Sequence, residues 1–317
     1  MLPSPAKMTV PPDSQKVDRG APTLSVVIPK YRRWGPLQLT LVALEGQSMP
    51  KKGVEVIVSD DGSEYGAIDN LKANAGNTPL GLEVTTGPNA RPSAVRDRGL
   101  RLANGNWVAF TDDDRVPAPA CLERRLASLN ADPELEGVGG KVLRYKDGRI
   151  ARYVDWSGVL VPYMDKGEVQ YLVTSHAVFR NETVQRLAGF NETYKWPGGE
   201  DPDLSFRFIA AGGRLKYIPE DLVLHMHRER VKGTYEMFWH HGLGAGVHGK
   251  LEGKVIRPAL KEYLRELASK NVEKAFKEQT FIDALVFSFL EYVRKYVFMN
   301  GFDHHSQASK FGATSAN

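Results

Sequence analysis

The sequence has a single cysteine and no long hydrophobic run, and these absences exclude several classes of protein. Cys121 stands alone among 317 residues, so no internal disulfide can form and a reducing compartment is expected. No stretch of about 18 apolar residues occurs, which argues against a membrane-spanning helix. Residues 1–21 lack the apolar centre of a signal peptide and are rich in proline, serine and charge, so we expect a disordered tail there. The expected location is the cytoplasm, with contact at the inner face of the membrane left open.

The sequence also lacks a strong charge of either sign. The net charge is +4, with 25% of the residues charged and 42% hydrophobic, as in ordinary globular proteins. No basic stretch is interleaved with aromatic residues, so we do not expect a nucleic acid as a partner.

The first 130 residues alternate apolar runs with stretches of helical spacing. Short runs rich in β-branched residues begin at Leu24, Val54, Gly81 and Trp107, and a helical pattern follows each of them. This alternation predicts an α/β fold with a mostly parallel central sheet and helices on both faces. Such sheets bind ligands at the carboxyl ends of their strands. The side chains expected there are those of Pro29, Asp60, Asp61, Asp112, Asp113 and Asp114.

The second half of the chain has a different pattern. Longer apolar runs at 138–145 and 169–179 predict strands, and Asp201 opens a helical stretch that ends before a pair of glycines. Beyond residue 250 the composition becomes helical and charged, and we expect this part to pack on the domain or to form a homodimer, with a membrane surface as the alternative. The resulting division is a domain over 22–250 with halves 22–130 and 131–250, a helical extension over 251–300, and a flexible tail over 301–317.

An acidic cluster, Asp112-Asp113-Asp114, directly follows the fourth apolar run. Carboxylate oxygens are the ligands that Mg²⁺ and Mn²⁺ prefer, and a metal held here would neutralise a diphosphate leaving group. The alternative is a solvated acidic turn, because short acidic runs are common in loops.

A second acidic cluster, Glu200-Asp201-Pro202-Asp203, opens the helix after Gly198-Gly199. The helix dipole and the free amide groups favour acidic residues in a first helical turn, which is a sufficient structural explanation. The functional alternative is a general base that takes the proton from an attacking hydroxyl group. The two glycines would let the backbone approach a ligand closely.

Histidines, arginines and glycines form three further groups. His225 and His227 alternate along a predicted strand, so both rings would share a face and one could complete a metal site; half-exposed polar residues are the alternative. Arg91 and Arg96 flank the start of the third helix and could bind phosphate or a base carbonyl, or be ordinary surface charge. The segment 244–249 fits G-x-G-x-x-G, but no strand precedes it, so we expect a flexible loop near the acceptor rather than a dinucleotide site.

Five short segments, in this order, resemble the motifs of family 2 glycosyltransferases. They are Val26–Arg33 (VVIPKYRR), Val58–Ser63 (VSDDGS), Val95–Gly99 (VRDRG), Phe110–Asp114 (FTDDD) and Gly199–Arg207 (GEDPDLSFR). Their order and spacing make the resemblance specific over about residues 22–230. It implies a GT-A fold over 22–250, with a Rossmann-like nucleotide half and an acceptor half, followed by C-terminal helices. It also implies inverting transfer from a nucleoside-diphosphate sugar, assisted by Mn²⁺ or Mg²⁺.

The resemblance further implies roles for individual residues. Asp201 would be the catalytic base, while Asp114 and His225 would bind the metal, with His227 as the fallback. The residues implied for the nucleotide sugar are Pro29, Tyr31, Arg32, Asp60, Asp61, Arg91, Asp112 and Asp113. Those implied for the acceptor are Gly199, Glu200, His176 and Trp196.

Two other functions stay open at this point. A sugar nucleotidyltransferase would need a glycine-rich basic loop near the first strand, for which Tyr31–Gly35 is a poor substitute. A non-catalytic sugar-binding domain on the same fold is the second, although Asp114 and Asp201 are both intact. Among donors a UDP-sugar is favoured. The acceptor would carry a hydroxyl group, on a glycan, a lipid carrier, a natural product or a peptide.

Overall fold

The strands and helices are taken from a computed structural model that describes residues 22–63, 67–74, 78–227, 230–251 and 257–312. The tail predicted over 1–21 lies outside the described residues. The strands are β1 (Leu24–Lys30), β2 (Val54–Asp60), β3 (Gly81–Thr86), β4 (Trp107–Thr111), β5 (Arg115–Pro117), β6 (Leu135–Arg144), β7 (Tyr163–Asp165), β8 (Glu168–Tyr171), β9 (His176–Arg180) and β10 (Arg214–His225). The helices are α1 (Trp34–Glu45), α2 (Ala67–Asn74), α3 (Arg91–Leu100), α4 (Cys121–Ala131), α5 (Arg149–Ser157), α6 (Asn181–Arg186), α7 (Glu200–Ala210), α8 (Val231–Leu251), α9 (Arg257–Glu278) and α10 (Phe281–Gly312).

A large mixed sheet organises the domain. Within the described ranges its eight strands follow the order β3-β2-β1-β4-β9-β6-β10-β5, and β7 and β8 form a separate hairpin. β1 pairs in parallel with β2 and β4, whereas β9 runs antiparallel to β4 and β6. Val26 and Ile28 pack into the core on one face of the sheet, and Val27 between them packs into the core on the other. Burial on both faces explains why these strands are continuously apolar, and the predicted α/β architecture is confirmed.

One edge of this sheet collects the ends of several strands. His176 at the start of β9 pairs with Thr111 at the end of β4. His225 at the end of β10 pairs with Arg115 at the start of β5. Since Asp112–Asp114 lies between β4 and β5, the topology brings this cluster beside His225.

The single strand predicted over 169–179 is wrong. β8 ends at Tyr171 and β9 begins at His176, with a turn between them in which the His176 amide donates to the Val173 carbonyl. Inside this turn the Thr174 amide and hydroxyl both donate to Asp201. The contact with Asp201, which lies far along the chain, therefore replaces strand pairing here.

The flexible loop predicted over 244–249 is also wrong, because this segment belongs to helix α8. Its glycines allow close approach of neighbouring backbone rather than flexibility. A Cβ atom at Gly242 would collide with the Phe298 carbonyl of α10, and one at Gly244 would lie 2.6 Å from the Gly198 carbonyl oxygen. The glycine spacing therefore serves helix packing.

The C-terminal helices pack on the domain through α5 and α8. Tyr153 of α5 is buried and donates to Glu291 of α10 (2.7 Å). The flexible tail predicted over 301–317 is wrong for residues 301–312, since α10 continues to Gly312 and Phe302 is buried against the chain. Residues 313–317 lie outside the described residues. The outer face of α10 is apolar and exposed, with Phe281, Ile282, Leu285, Phe289, Tyr292 and Tyr296. Of the helices described, none combines the length and apolar character needed to cross a bilayer.

Candidate active site

The two acidic clusters line one cavity. It has a volume of about 280 Å³ and lies at the sheet edge described above, between the strand ends, the start of α7 and the first turns of α8. Its charged and imidazole-bearing wall residues are Arg33, Arg96, Asp112, Asp114, Arg115, Glu200, Asp201, His225, His227, Glu236, His240 and His241. Of the predicted site residues, Asp112, Asp114, Glu200, Asp201 and His225 are therefore brought together in this wall. Within the described chain, the lining does not include the other predicted residues, which are Pro29, Tyr31, Arg32, Asp60, Asp61, Arg91, Asp113, His176, Trp196 and Gly199.

Asp113 and Asp114 are buried beneath the Arg33 guanidinium. One Arg33 nitrogen donates to Asp113 and the other to Asp114. Burial raises the pKa of Asp113 to about 7, against the attraction of Arg33. Burial would also raise the pKa of Asp114, but His225, Arg115 and Arg33 outweigh it and hold that pKa well below its ordinary value. The Asp114 carboxylate is therefore ionised at neutral pH.

His225 lies against Asp114 on the same wall. Its Nε2 is 3.5 Å from Asp114 Oδ2. Burial and the nearby Arg115 lower the pKa of His225 to about 4, so the ring is neutral at neutral pH. The ring of His227 lies 4.0 Å from that of His225, centroid to centroid, and its Nε2 is 3.4 Å from Asp155 Oδ1.

The donor atoms at this point fit a divalent cation. Within the described chain, Asp114 Oδ1, Asp113 Oδ2 and His225 Nδ1 are buried and have no hydrogen-bond partner. A carboxylate with a free oxygen beside a neutral imidazole is a ligand pair that suits Mn²⁺ and tolerates Mg²⁺. His225 fits this role better than His227, which is directed toward Asp155.

Asp201 is held in place by Thr174. The Thr174 amide donates to Asp201 Oδ2 (3.1 Å), and the Thr174 hydroxyl donates to Oδ1. Burial and the neighbouring Glu200 raise the pKa of Asp201 to about 7, while Arg96 and Thr174 oppose the rise. A carboxylate with a pKa near neutrality is suited to taking up a proton.

Arg96 joins the two acidic clusters. It donates to Glu200 Oε1 and to Asp112 Oδ1, both at 3.0 Å. The other Glu200 oxygen accepts the amides of Gly198 (2.7 Å) and Gly199 (2.9 Å). Glu200 is 2% exposed, so its carboxylate supports the loop before α7 rather than facing the cavity freely.

Asp60 and Asp61 hold the walls of the predicted nucleotide pocket. Asp60 is fully buried and accepts from Lys30 Nζ (3.1 Å), the Ser63 amide (2.8 Å) and the Thr86 hydroxyl (3.2 Å). Asp61 accepts the amides of Ala90 (2.6 Å) and Arg91 (3.3 Å) and the Asn89 side chain (2.9 Å). Both carboxylates thus fix the turns around the strand ends.

Five other predicted residues are not among the described residues that line the cavity. Pro29 is in β1, while Tyr31 and Arg32 follow it, with Tyr31 exposed and the Arg32 guanidinium 5.0 Å from its ring centroid. Arg91 lies 4.0 Å from the Trp196 ring centroid, and Trp196 stacks on His240 at 5.1 Å. These stacked side chains connect the start of α3 to α8 at the cavity.

His176 does not line the cavity, which corrects its assignment to the acceptor site. Its ring is buried and accepts from the Arg125 guanidinium, which also pairs with Asp221 (2.5 Å). Cys121 Sγ lies 3.8 Å from the same Asp221 carboxylate. Cys121, His176 and Asp221 are close enough together to hold a metal ion, but Arg125 already neutralises Asp221, and burial raises the pKa of Cys121 to about 12. We regard the group as a buried ion-pair network.

Three residues of this site were not identified from the sequence: Arg33, Arg115 and Thr174. Arg33 carried a signal, since it closes the VVIPKYRR segment. Arg115 is 4% exposed and donates to Ser175 Oγ (2.9 Å), and its Nε and Nη1 have no hydrogen-bond partner in the part of the chain that is described. Thr174 could be found only from the fold.

Comparison with known proteins identifies the family and the fold. The sequence profile of Glycosyl transferase family 2 matches residues 25–187, which contain the first acidic cluster. The chain belongs to that family. This family 2 chain is 31% identical over 218 residues to the pre-mycofactocin glycosyltransferase of Mycobacterium tuberculosis, covering 66% of the chain and 44% of the relative. It is 26% identical over 226 residues to the validoxylamine A glucosyltransferase of Streptomyces hygroscopicus, covering 60% and 52%.

The family 2 chain thus spans about half the length of these relatives. Among solved structures, the mannosyltransferase PcManGT from Pyrobaculum calidifontis, in complex with GDP-Man and Mn²⁺, superposes with a TM-score of 0.56. The match covers 94% of this chain and 77% of that one at 18% sequence identity. At this identity the likeness concerns the fold.

Proposed function

We propose that this chain transfers a sugar from a nucleoside-diphosphate sugar to an acceptor hydroxyl group, with inversion at the anomeric carbon. The observation that carries the proposal is the single cavity shared by Asp112, Asp114 and Asp201, with Arg96 joining its two acidic clusters. One wall has the chemistry to hold a diphosphate, and the other has a base for the acceptor.

On the donor side, Asp114 and His225 would hold Mn²⁺ or Mg²⁺, with Asp112 and Asp113 facing the ribose and phosphates. The ion would supply positive charge to the departing diphosphate. Arg115 would contribute a further hydrogen bond to the phosphates, because two of its nitrogens are buried without partners among the residues described. Tyr31 and Arg32, which follow β1, would contact the nucleotide.

On the acceptor side, Asp201 would remove the proton from the attacking hydroxyl group. Its pKa of about 7 allows it to be ionised before the reaction and protonated after it. The acceptor oxygen bonds to the anomeric carbon as the bond from that carbon to the diphosphate oxygen breaks. The bonding electrons leave with the diphosphate, and the proton moves to Asp201. One displacement from the opposite face inverts the centre.

The donor base and the sugar are open to experiment. UDP-sugars are the favoured donors from the sequence, while the similar PcManGT structure contains GDP-Man. We therefore propose the donor as a nucleoside-diphosphate sugar and the acceptor as a hydroxyl compound, without narrowing either further.

A donor panel tests the proposal. UDP-, GDP- and dTDP-sugars are screened with Mn²⁺ by thermal shift, since a ligand at a hundredfold its dissociation constant adds about 2.7 kcal/mol of stability. The stabilising donor is then assayed for release of nucleoside diphosphate with the wild type and with Asp201→Asn. We expect release by the wild type only, with donor binding kept in the variant.

Release of pyrophosphate from a sugar phosphate and a nucleoside triphosphate would indicate a nucleotidyltransferase. Binding without turnover on any acceptor would indicate a sugar-binding domain.

A further inference from the structure

We propose that Arg33 is a built-in counter-ion of the Asp113–Asp114 pair, which a divalent cation displaces and which then binds the diphosphate of the donor. The inference rests on the proposed function of this site, because it takes Asp114 as a metal ligand. It adds two statements: the ion and Arg33 compete for the Asp113–Asp114 carboxylates, and the displaced Arg33 side chain then binds the substrate.

The geometry places Arg33 where a bridging cation would lie. Its two terminal nitrogens reach different carboxylates, one on Asp113 and one on Asp114, instead of forming a fork on a single carboxylate. The Asp114 oxygen that Arg33 contacts, Oδ2, is also the one nearest His225 Nε2. A cation that took Asp114 Oδ2 as a ligand beside His225 would therefore compete with Arg33 for that oxygen, whereas Oδ1 of the same carboxylate already has no hydrogen-bond partner among the described residues.

Arg33 is also the arginine of this site that is best able to move. Its side chain is 38% exposed, whereas the side chains of its two partners are 1% and 8% exposed. Its backbone is anchored, with the Arg33 amide donating to the Tyr31 carbonyl (2.8 Å) just before α1. A fixed backbone with a solvent-reaching side chain permits the guanidinium to swing without unfolding the segment.

The other two arginines of the cavity are fixed. Arg96 is held between Asp112 and Glu200, with its side chain 6% exposed. Arg115 is held by Ser175 and lies 3.5 Å from Asp112, with its side chain 5% exposed. Arg96 cannot leave its position without removing the ion pair of the buried Glu200 carboxylate, and Arg115 Nε lies 3.8 Å from the buried Asp114 carboxylate. The mobile positive charge of the described cavity wall is therefore that of Arg33.

The charge balance explains why an exchange would favour donor binding. Six carboxylates lie at the described cavity, those of Asp112, Asp113, Asp114, Glu200, Asp201 and Glu236, against the three guanidinium groups of Arg33, Arg96 and Arg115. This surplus of negative charge repels a diphosphate. A divalent ion that replaces Arg33 adds two positive charges at the carboxylates and leaves the guanidinium free for the phosphates.

The competition predicts that one variant, Arg33→Gln, binds Mn²⁺ more tightly and nucleotide more weakly than the wild type. Arg33→Gln removes the competing cation, so its affinity for Mn²⁺ alone should rise about tenfold, the value of one charge-assisted hydrogen bond of ordinary strength. The same variant, in saturating Mn²⁺, should bind UDP and GDP about tenfold more weakly than the wild type. An Arg33 that merely stabilised the fold would not give this reversal.

The test measures free Mn²⁺ by electron paramagnetic resonance, followed by calorimetric titration of UDP and of GDP in saturating Mn²⁺. Arg214→Gln is the matched control, since Arg214 begins β10 at the end away from His225 and pairs on the surface with Asp132. Arg33→Lys retains a charge but not the planar donors, and we expect it to compete with Mn²⁺ while binding nucleotide weakly. Circular dichroism melting checks that every variant is folded.

The outcomes separate this inference from the proposed function. Unchanged or weaker Mn²⁺ binding by Arg33→Gln, with normal binding by the wild type, overturns the role of Arg33 and leaves the metal site standing. Asp114→Asn binding Mn²⁺ as well as the wild type overturns the metal site, and the role of Arg33 with it. Mn²⁺ binding that appears only in Arg33→Gln supports the competition in its strongest form.

Discussion

Thr174 donates two hydrogen bonds to Asp201, one from its backbone amide and one from its hydroxyl group. Asp201 begins helix α7, whereas Thr174 lies in the turn between β8 and β9. The contact fixes both oxygens of the carboxylate that would act as the base. It also stabilises the ionised form, which opposes the effect of burial on the pKa of Asp201.

Thr174→Val should slow transfer and move its pH dependence upward. The variant keeps the backbone amide but removes the hydroxyl donor, so the carboxylate is less well oriented and its pKa rises. We expect kcat to fall about tenfold, within the range for a disturbed general base. Steady-state rates measured across pH test this, and Thr174→Ser, which restores the hydroxyl group, should recover most of the rate. Equal rates in all three proteins would contradict the assignment.

The transfer rate of the wild type should rise with pH through about 7. Asp201 must be ionised to accept a proton, and its pKa lies at about 7, so the active fraction increases as the pH rises from 6 to 8. A plot of kcat/KM against pH at saturating Mn²⁺ measures this. A rate that is flat over that interval would mean that another group accepts the proton.

Removal of divalent cations should abolish transfer, and Mn²⁺ or Mg²⁺ should restore it. The carboxylate of Asp114 and the neutral ring of His225 would provide the ligands. Activity after treatment with EDTA and readdition of each ion is the measurement. Asp114→Asn should stay inactive at ion concentrations that fully restore the wild type. Full activity of the wild type in chelator would remove the ion from the mechanism.

Arg96→Met should impair both stability and transfer. It leaves Asp112 and Glu200 without their shared partner, and breaking a buried ion pair from one side costs about 3–5 kcal/mol. It also removes a positive charge that lowers the pKa of Asp201, so the pH profile should move upward. Urea unfolding and the pH–rate profile measure the two effects separately. Arg96→Lys should retain part of the stability and bring the profile back toward that of the wild type.

Gly242→Ala should destabilise the contact between α8 and α10. The added methyl group would meet the Phe298 carbonyl, and overpacking of this kind costs about 1–3 kcal/mol. Gly35→Ala is the matched control, because a Cβ atom at Gly35 meets nothing within 4 Å and alanine favours the helix α1. The free energy of unfolding, measured in urea, should fall in the first variant and stay level or rise slightly in the second.

The sequence predicted those features of the fold that depend on local patterns. The buried strands β1, β2 and β4 are continuous apolar runs, and the acidic clusters follow or precede elements that were correctly recognised. The rule that parallel strands bind ligands at their carboxyl ends placed the first cluster at that edge, whereas the place of the second cluster opposite it was implied by the resemblance to family 2 glycosyltransferases. The single strand over 169–179 failed because the contact between Thr174 and Asp201, 27 residues apart, outweighs the local β propensity.

The site residues also divide into those that local patterns indicate and those that depend on contacts between distant parts of the chain. Asp114, Asp201 and His225 line one cavity, and their roles there stay predictions that rest on local properties, namely their chemistry and their position in a motif. His176 was misplaced because its burial depends on Arg125 and Asp221, which are distant in sequence. Arg33 and Arg115 were missed because a surface arginine and a buried one look alike until the fold decides which of them meets a carboxylate.

Helix α8 shows why the end of the chain matters to the cavity. Its Thr234, Met237 and His241 face the cavity, while Gly242 and Gly246 behind them press against α10. A shortened chain that kept every motif but lost α10 would leave α8, which forms one wall of the cavity, without the helix that supports it. Helix α10, which contributes no residue to the described cavity wall, therefore helps to decide what the cavity can hold.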